Sequence, residues 1–358
     1  MLKELIKTRG GRVEVIKINH VDEMEEYREE WEEVEKHDDQ ATFYQSFDYS
    51  YIWCKHNLTS EDELNIYMVY NNNKLVGIAP FYIETRKKAL LSWKELKFIG
   101  MGDYKFILCD DRQVNRSTIY NLVMDTITGL ESVDRILLSY VPENNDFLNF
   151  LFSSEKYNSS LDPLTENPVV YMGKGERIEP RKANKKRNKL KKDLNYNFQV
   201  EYQVSDELFK EFTKVHKTQQ DFMRERMGRK ERRSHFDEDK RNKFIKEVSE
   251  LKDRSVLFLI RDGEGELIFY RYCYSYRGKL YSWNSAYNHK YHNYNLSDVA
   301  ILDILDYLDD QDTFDCFDLG SGGYAWKFRW TKDFNSVYKF EHWNNESSLA
   351  YKLMKMRG

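Results

Sequence analysis

Between Phe317 and Trp330 the chain reads FDLGSGGYAWKFRW. A short apolar strand closes on Asp318, passes through Gly320, Gly322 and Gly323, and then presents Tyr324, Lys327 and Arg329. An acid ending a strand beside a glycine-rich turn puts polar chemistry at the mouth of a sheet, where α/β folds commonly bind ligands. A carboxylate there supplies a base, a phenol supplies a proton, and cations hold developing or bound negative charge. The same spacing also fits a hairpin turn followed by an edge strand.

Two other segments carry polar chemistry. Arg181 to Lys192 has eight basic residues in twelve and reads as a helix. Its charge suits a solvated face, a phosphate- or sugar-nucleotide-facing surface, or nucleic acid. Arg181 and Arg187 are preferred over the lysines for bidentate phosphate contact. The segment Asn288 to Asp298 precedes a second helix, whose first amides suit a pyrophosphate. Asn295 or Ser297 is equally suited to capping that helix, and Asp298 partly opposes an anion.

The patterns of other chemistries are missing. His289 and His292 stand three apart on a loop with no H-E-x-x-H pattern, so no metal is expected. There is no G-x-x-x-x-G-K-[ST] phosphate loop and no G-x-S-x-G elbow, which argues against nucleotide hydrolysis and serine hydrolase chemistry. Cys54, Cys109, Cys273 and Cys316 are widely spaced and read as reduced, mostly buried small hydrophobes.

The elements that must position these residues fall into two similar series. Apolar residues from Val21 to His37 recur at helical spacing among eleven acids between Asp22 and Asp39. Strands at Leu64–Tyr70 and Leu75–Ile83 flank an Asn-rich hairpin turn. A helix with Ile119, Leu122, Val123, Ile127 and Leu130 inward leads to a strand at Arg135–Tyr140. The later half repeats that order, with strands at Val256–Ile260, Leu267–Tyr276 and Leu280–Tyr287, a helix at Ser297–Asp309, and the strand Phe314–Leu319. Further helices at Ser205–Phe222 and Asp237–Leu251 lie between the halves. The order of elements points to an internal duplication of one β-rich α/β unit.

A chain of 358 residues suits two cores. The expected division is residues 1–175, a helical connecting segment at 176–255 packing on the second domain, and 256–358. A net charge of −4 excludes a globally basic nucleic-acid binder. No apolar run approaches the roughly 18 residues of a membrane span, and the first residues lack a signal peptide's apolar core, so a cytoplasmic location is expected.

In order of signals the chain resembles GNAT-superfamily acetyltransferases of the CelD-like, cellulose-biosynthesis type, relatives of the FemAB-like transferases. The matching pieces are FYQSFDYSYIW, KLVGIAPFYI, GDYKFIL at Gly102–Leu108, the basic RNKLKKDL, and the closing FDLGSGGYAWKFRW. The last is similar to the family's D-F-x-x-G-x-x-x-Y-K-x-x-W ending, with Asp318, Tyr324, Lys327 and Trp330 as counterparts. The family's Tyr-Ser-Pro-Gly turn is here Tyr294, Asn295, Leu296 and Ser297.

That resemblance implies an α/β tandem double GNAT-like fold with two mixed β-sheets, flanking helices and a helical insertion. The second copy would hold the acyl donor and the first would shape the acceptor site. The implied activity is acyl-CoA-dependent N-acyl transfer, with acetyl-CoA or another acyl-CoA as co-substrate, no metal, and a small-molecule or glycan-precursor acceptor such as a sugar nucleotide. Asp318, Tyr324 and Lys327 are the implied catalytic residues: base, acid to the leaving thiolate, and oxyanion or acceptor holder. Trp283, Asn295 and Ser297 are assigned to the donor. Asp103, Tyr104, Arg181, Arg187 and Arg329 are assigned to the acceptor. An aminoacyl-tRNA donor with RNA on the basic helix, and a non-catalytic binding protein of the same fold, are the alternatives.

Overall fold

The computed structural model describes residues 3–8, 11–88, 91–173, 178–311, 313–346 and 350–352, with side chains from Val13 onward. The chain divides into two compact units, residues 1–166 with 335–358, and residues 167–334. The last long strand, Phe334–Trp343, pairs from Val337 onward with Pro142–Arg135 in the first unit, and the helices after residue 180 lie in the second unit with the later strands.

The first unit opens with strands β1 (Lys3–Thr8) and β2 (Gly11–Ile18). The acidic segment then begins as a 3-10 helix at Val21–Tyr27 and becomes α1 only at Arg28–His37. It is followed by α2 (Phe47–Asn57), β3 (Glu63–Asn71), β4 (Lys74–Lys88), β5 (Leu91–Phe98), β6 (Leu108–Cys109), α3 (Arg116–Thr128), β7 (Arg135–Pro142) and α4 (Asp146–Ser153). Strand β8 (Leu161–Tyr171) starts in this unit and ends in the next. The hairpin between β3 and β4 turns on Asn72 and Asn73, whose φ of 48° and 66° are the left-handed values such two-residue loops require.

The second unit holds α5 (Ala183–Leu194), β9 (Asn197–Glu201), α6 (Asp206–Glu225), α7 (Asp239–Ser249), β10 (Ser255–Arg261), β11 (Leu267–Tyr276), β12 (Lys279–Tyr287), α8 (Leu296–Asp310) and β13 (Cys316–Asp318). The final strand, Phe334–Trp343, is β14. Ser205 Oγ accepts the Leu208 N–H at 3.1 Å and starts α6. One face of that helix packs Phe212 on Tyr270 and Tyr272 of β11, with ring centroids 4.9 and 6.3 Å apart. On the other side of β11, Phe269 and Cys273 meet α8, which is buried along Val299, Ala300, Ile301 and Leu305. A helix on each face explains why β10 and β11 read as nearly continuous apolar runs.

In each unit three antiparallel strands precede a helix and a strand that returns parallel to the third. The series are β3-β4-β5, α3, β7 and β10-β11-β12, α8, β13. The hydrogen-bonded order is β1-β2-β3-β4-β5-β7-β14 in the first unit, with β6 beside β4, and β8-β13-β12-β11-β10-β9 in the second. Each unit holds a mixed sheet with flanking helices. In the second unit the last residues of β8, Val169 to Tyr171, pair with β13. All four cysteines are buried and free. Among the described residues no helix is long and apolar enough to cross a membrane.

Candidate active site in the second unit

The pairing of β12 with β13 is short. It joins Lys279 to Cys316, Leu280 to Phe317 and Tyr281 to Asp318, and then stops, although β12 continues to Tyr287. Beyond Tyr281 the two chains separate, because β13 gives way to the glycine-rich turn with Gly320 and Gly322 at φ of 79° and 104°. Those left-handed values favour glycine. At Gly322 a Cβ would also stand 2.5 Å from the Tyr324 ring.

A cavity of about 460 Å³ lies at this end of β12. Ser285, Ala286 and Tyr287 of β12, Arg271 of β11, Gln219 and Gln220 of α6, and Asn295 to Asp298 at the start of α8 line it, together with Trp326 and Arg329. A register shift on β11 between Tyr272 and Cys273 sets Ser282 opposite Cys273 and Asn284 opposite Tyr272, so Trp283 has no partner in the ladder. Such a bulge re-aims the side chains around it. It brings Ser282 to the same face as Arg271, whose Nη1 donates to Ser282 Oγ at 2.6 Å.

The polar wall at α8 is a charge cluster. Asn295 adopts the left-handed conformation, φ 54° and ψ 50°, and Asn is one of the few residues besides glycine that visit it readily. Its side chain caps nothing; Nδ2 instead donates to Asp298 Oδ2 at 2.8 Å. Asp298 is buried and also accepts from Lys186 Nζ at 2.8 Å and Arg329 Nη2 at 2.9 Å. Ser297 lines the cavity in the same helical turn. Three of the sequence-expected residues, Asn295, Ser297 and Arg329, therefore meet in one site.

The others lie elsewhere. Asp318 is buried and its Oδ1 accepts the Gly320 N–H at 2.7 Å, closing the turn. Lys327 is buried, with Nζ donating to the carbonyls of Gly320 at 2.6 Å and Ser321 at 2.8 Å. Tyr324 is exposed, its ring 5.5 Å from Lys327 Nζ. None of these three lines the cavity. Trp283 packs with Tyr272, Tyr274 and His235. Arg187 is engaged by Asp303 and Asp306 of α8 and braces α5 against that helix. Arg181 is exposed just ahead of α5. Asp103 and Tyr104 belong to the first unit. Tyr104 is buried there, accepting at Oη from Asn335 Nδ2 at 3.3 Å, and Asp103 lies beside Lys105, whose ammonium burial pushes down to about 8.

Arg271, Gln219, Gln220 and Lys186 were not singled out in the sequence. Burial lowers the pKa of the Arg271 guanidinium, against the raising influence of Cys273. His216, on α6 beneath the same sheet, is pushed down to about 3 by burial and then by the charges of His235 and Arg232, so its ring is neutral. Its Nδ1 lies 2.8 Å from Ser234 Oγ. Among the described residues no group of three or more His, Cys, Asp or Glu is placed to hold a metal ion. His289 instead stacks on Phe222, ring centroids 4.8 Å apart.

Residues 180–328 match a family model described as an acetyltransferase (GNAT) domain. No curated protein matches. Among solved structures, FemX superposes with a TM-score of 0.60 at 11% identity, covering 95% of this chain and 99% of its own. L-PGS from Bacillus licheniformis gives a TM-score of 0.56 at 12% identity, covering 94% and 95%. At such identities the likeness is one of fold. Residues 180–328 of the second unit are thus similar to a GNAT acetyltransferase domain, and the chain shares the fold of FemX and L-PGS.

Proposed function

We propose that the second unit transfers an acyl group from acyl-CoA to an amino group, on a cell-envelope glycan precursor or sugar nucleotide. The observation that carries this reading is the cavity that opens where β12 loses its parallel neighbour beyond Tyr281, against the first turn of α8. A thioester arm fits between separating strands, and the phosphates of its carrier suit the free amides of a helix start flanked by Arg329 and Lys186.

The reaction is direct attack. The amine nitrogen bonds to the thioester carbonyl carbon, the C–S bond breaks, the amine proton passes to a base and the thiolate takes up a proton. We assign the base to Asp318, reached through water because its carboxylate is buried and tied to the turn. The exposed Tyr324 hydroxyl is assigned to the leaving thiolate. Lys327 acts as a positioning residue, since its ammonium holds the two carbonyls of the turn that carries Asp318 and Tyr324. The peptide of Trp283, outside the β11 register, is the assigned backbone donor to the carbonyl oxygen.

The test combines a thermal shift with thiol release, over a panel of acyl-CoAs and amino sugars, for wild type and Asp318→Asn. The expected result is a shift with acyl-CoA and amine-dependent thiol release that Asp318→Asn abolishes. Normal turnover by Asp318→Asn removes the base assignment. The absence of both shift and thiol release with every acyl-CoA overturns the reading. An aminoacyl-tRNA donor shows instead as RNA binding with a steep salt dependence.

A further inference from the structure

Two residues that line the cavity each bury a polar atom with nothing to bond. Arg271 is 2% exposed, yet among the described residues its guanidinium makes a single hydrogen bond, Nη1 to Ser282 Oγ, and Nε has no partner. Gln220, 7% exposed, leaves Oε1 without a partner. Both residues line the same cavity. A buried guanidinium lacking a counter-ion is costly, because desolvation is not repaid by an ion pair. Folded chains keep such groups where a ligand completes them. By contrast Arg329 and Lys186 already share the carboxylate of Asp298.

We propose that Arg271 is the seat of a substrate carboxylate, received on its guanidinium where the residue lines the cavity, with Gln220 taking a neighbouring polar group of the same molecule. This deepens, and rests on, the acyltransferase reading by naming the substrate class as one that carries a carboxylate. The guanidinium edge presents two parallel donors that match the two oxygens of a planar carboxylate. One buried cation balances a monoanion, and Arg329 of the same cavity is already shared with Asp298. Ser285, paired with Arg271 across the ladder, keeps that wall small and polar.

The carboxylate belongs either to the acyl group or to the acceptor, and paired probes separate the two. Binding to the full chain is measured by calorimetry for succinyl-CoA against acetyl-CoA, for amino acids against their carboxamides, and for glucosaminuronic acid against glucosamine. In at least one pair the carboxylate member binds wild type about tenfold or more tightly, because a site built for a polar group rejects the analogue lacking it. In Arg271→Met that preference disappears while the melting temperature stays level or rises, since an unpaired buried charge has been replaced by an apolar chain. Equal affinities within every pair for wild type overturn the proposal without requiring any variant. It is also overturned if Arg271→Met keeps the preference. Failure of every CoA ester to bind removes the acyltransferase reading, while the acid-against-amide and uronate-against-sugar pairs still decide the role of Arg271.

Discussion

Arg329 donates to both oxygens of Asp298, Nη2 to Oδ1 at 2.9 Å and Nη1 to Oδ2 at 3.3 Å, and so places a cation and an anion together at the first turn of α8. The anion sits where a helix start favours negative charge, so the cluster already fills part of the role a ligand's phosphate would take. Arg329→Gln and Asp298→Asn should therefore move acyl-CoA affinity in opposite directions. Removing the cation weakens binding. Removing the carboxylate frees Arg329 and Lys186 and tightens it. Stability separates them too: about 1 kcal/mol is lost for the half-exposed arginine, and about 3 kcal/mol for the buried acid. Calorimetric dissociation constants beside urea unfolding check both signs.

Lys327 and Tyr324 lie three residues apart yet should behave differently. Lys327 is buried on the Gly320 and Ser321 carbonyls, so Lys327→Met leaves two acceptors unmet and should cost about 2 kcal/mol or more of unfolding free energy. Tyr324 is 61% exposed, and Tyr324→Phe should fall within about 0.5 kcal/mol of wild type. If the two variants unfold at the same denaturant concentration, Lys327 is not the clamp of this turn.

Much of the second unit was legible in the sequence because its signals are local. The apolar spacing of α8 and the alternation around Arg277 and Gly278 needed no knowledge of what packs where. Strand β8 was missed because its first half, LDPLTE, is polar and contains a proline, so its pairing depends on neighbours remote in sequence. Strands β9 and β14 are partly exposed and carry only weak alternation. The left-handed turn at Asn295 before α8 carries no glycine to announce it.

For the site, Asn295, Ser297 and Arg329 could be read from position alone, since each lies beside a strand end or a helix start. Arg271 could not. It sits inside the aromatic strand LIFYRYCYSY, and only the three-dimensional register shows that it faces a cavity rather than water. An arginine in a strand whose neighbours are all apolar was the available signal. The motif residues Asp318 and Lys327 proved to be tied within their own turn, a partnership that carries no periodicity.

In the first unit, Gly102 opens the GDYKFIL stretch that leads to Tyr104. A Cβ at this position would lie 2.3 Å from ring atoms of Tyr44, itself buried. The ring packs edge-on against Tyr49 at 5.6 Å and has little room to retreat. Gly102→Ala should destabilise the protein by about 1–3 kcal/mol through overpacking. Gly173→Ala, at a position with nothing within 4 Å, adds only backbone strain and is the comparison. A midpoint for Gly102→Ala equal to that of wild type would show that Tyr44 moves freely.

His216 makes the stability of the second unit pH-dependent. Its Nε2 lies 3.5 Å from Asn284 Nδ2, while Nδ1 lies 2.8 Å from Ser234 Oγ, and Asn284 in turn accepts from the Tyr270 hydroxyl at 2.9 Å. With the Asn284 amide donating to Nε2, Nδ1–H donates to Ser234, and a second ring proton would point at another donor. Burial holds the folded pKa at about 3. The unfolded ring titrates near 6.5. Between those values the unfolded chain binds a proton that the folded chain refuses, so stability falls as the pH drops from 6.5 toward 3 and is unaffected by this group above 6.5. By pH 5 the loss amounts to roughly 2 kcal/mol. Denaturant unfolding at pH 7.5 and pH 5, for wild type and His216→Asn, measures it directly. The substitution should lower stability at pH 7.5 and reduce the difference between the two pH values by about that amount. An unchanged difference in the variant would assign the acid sensitivity to other groups.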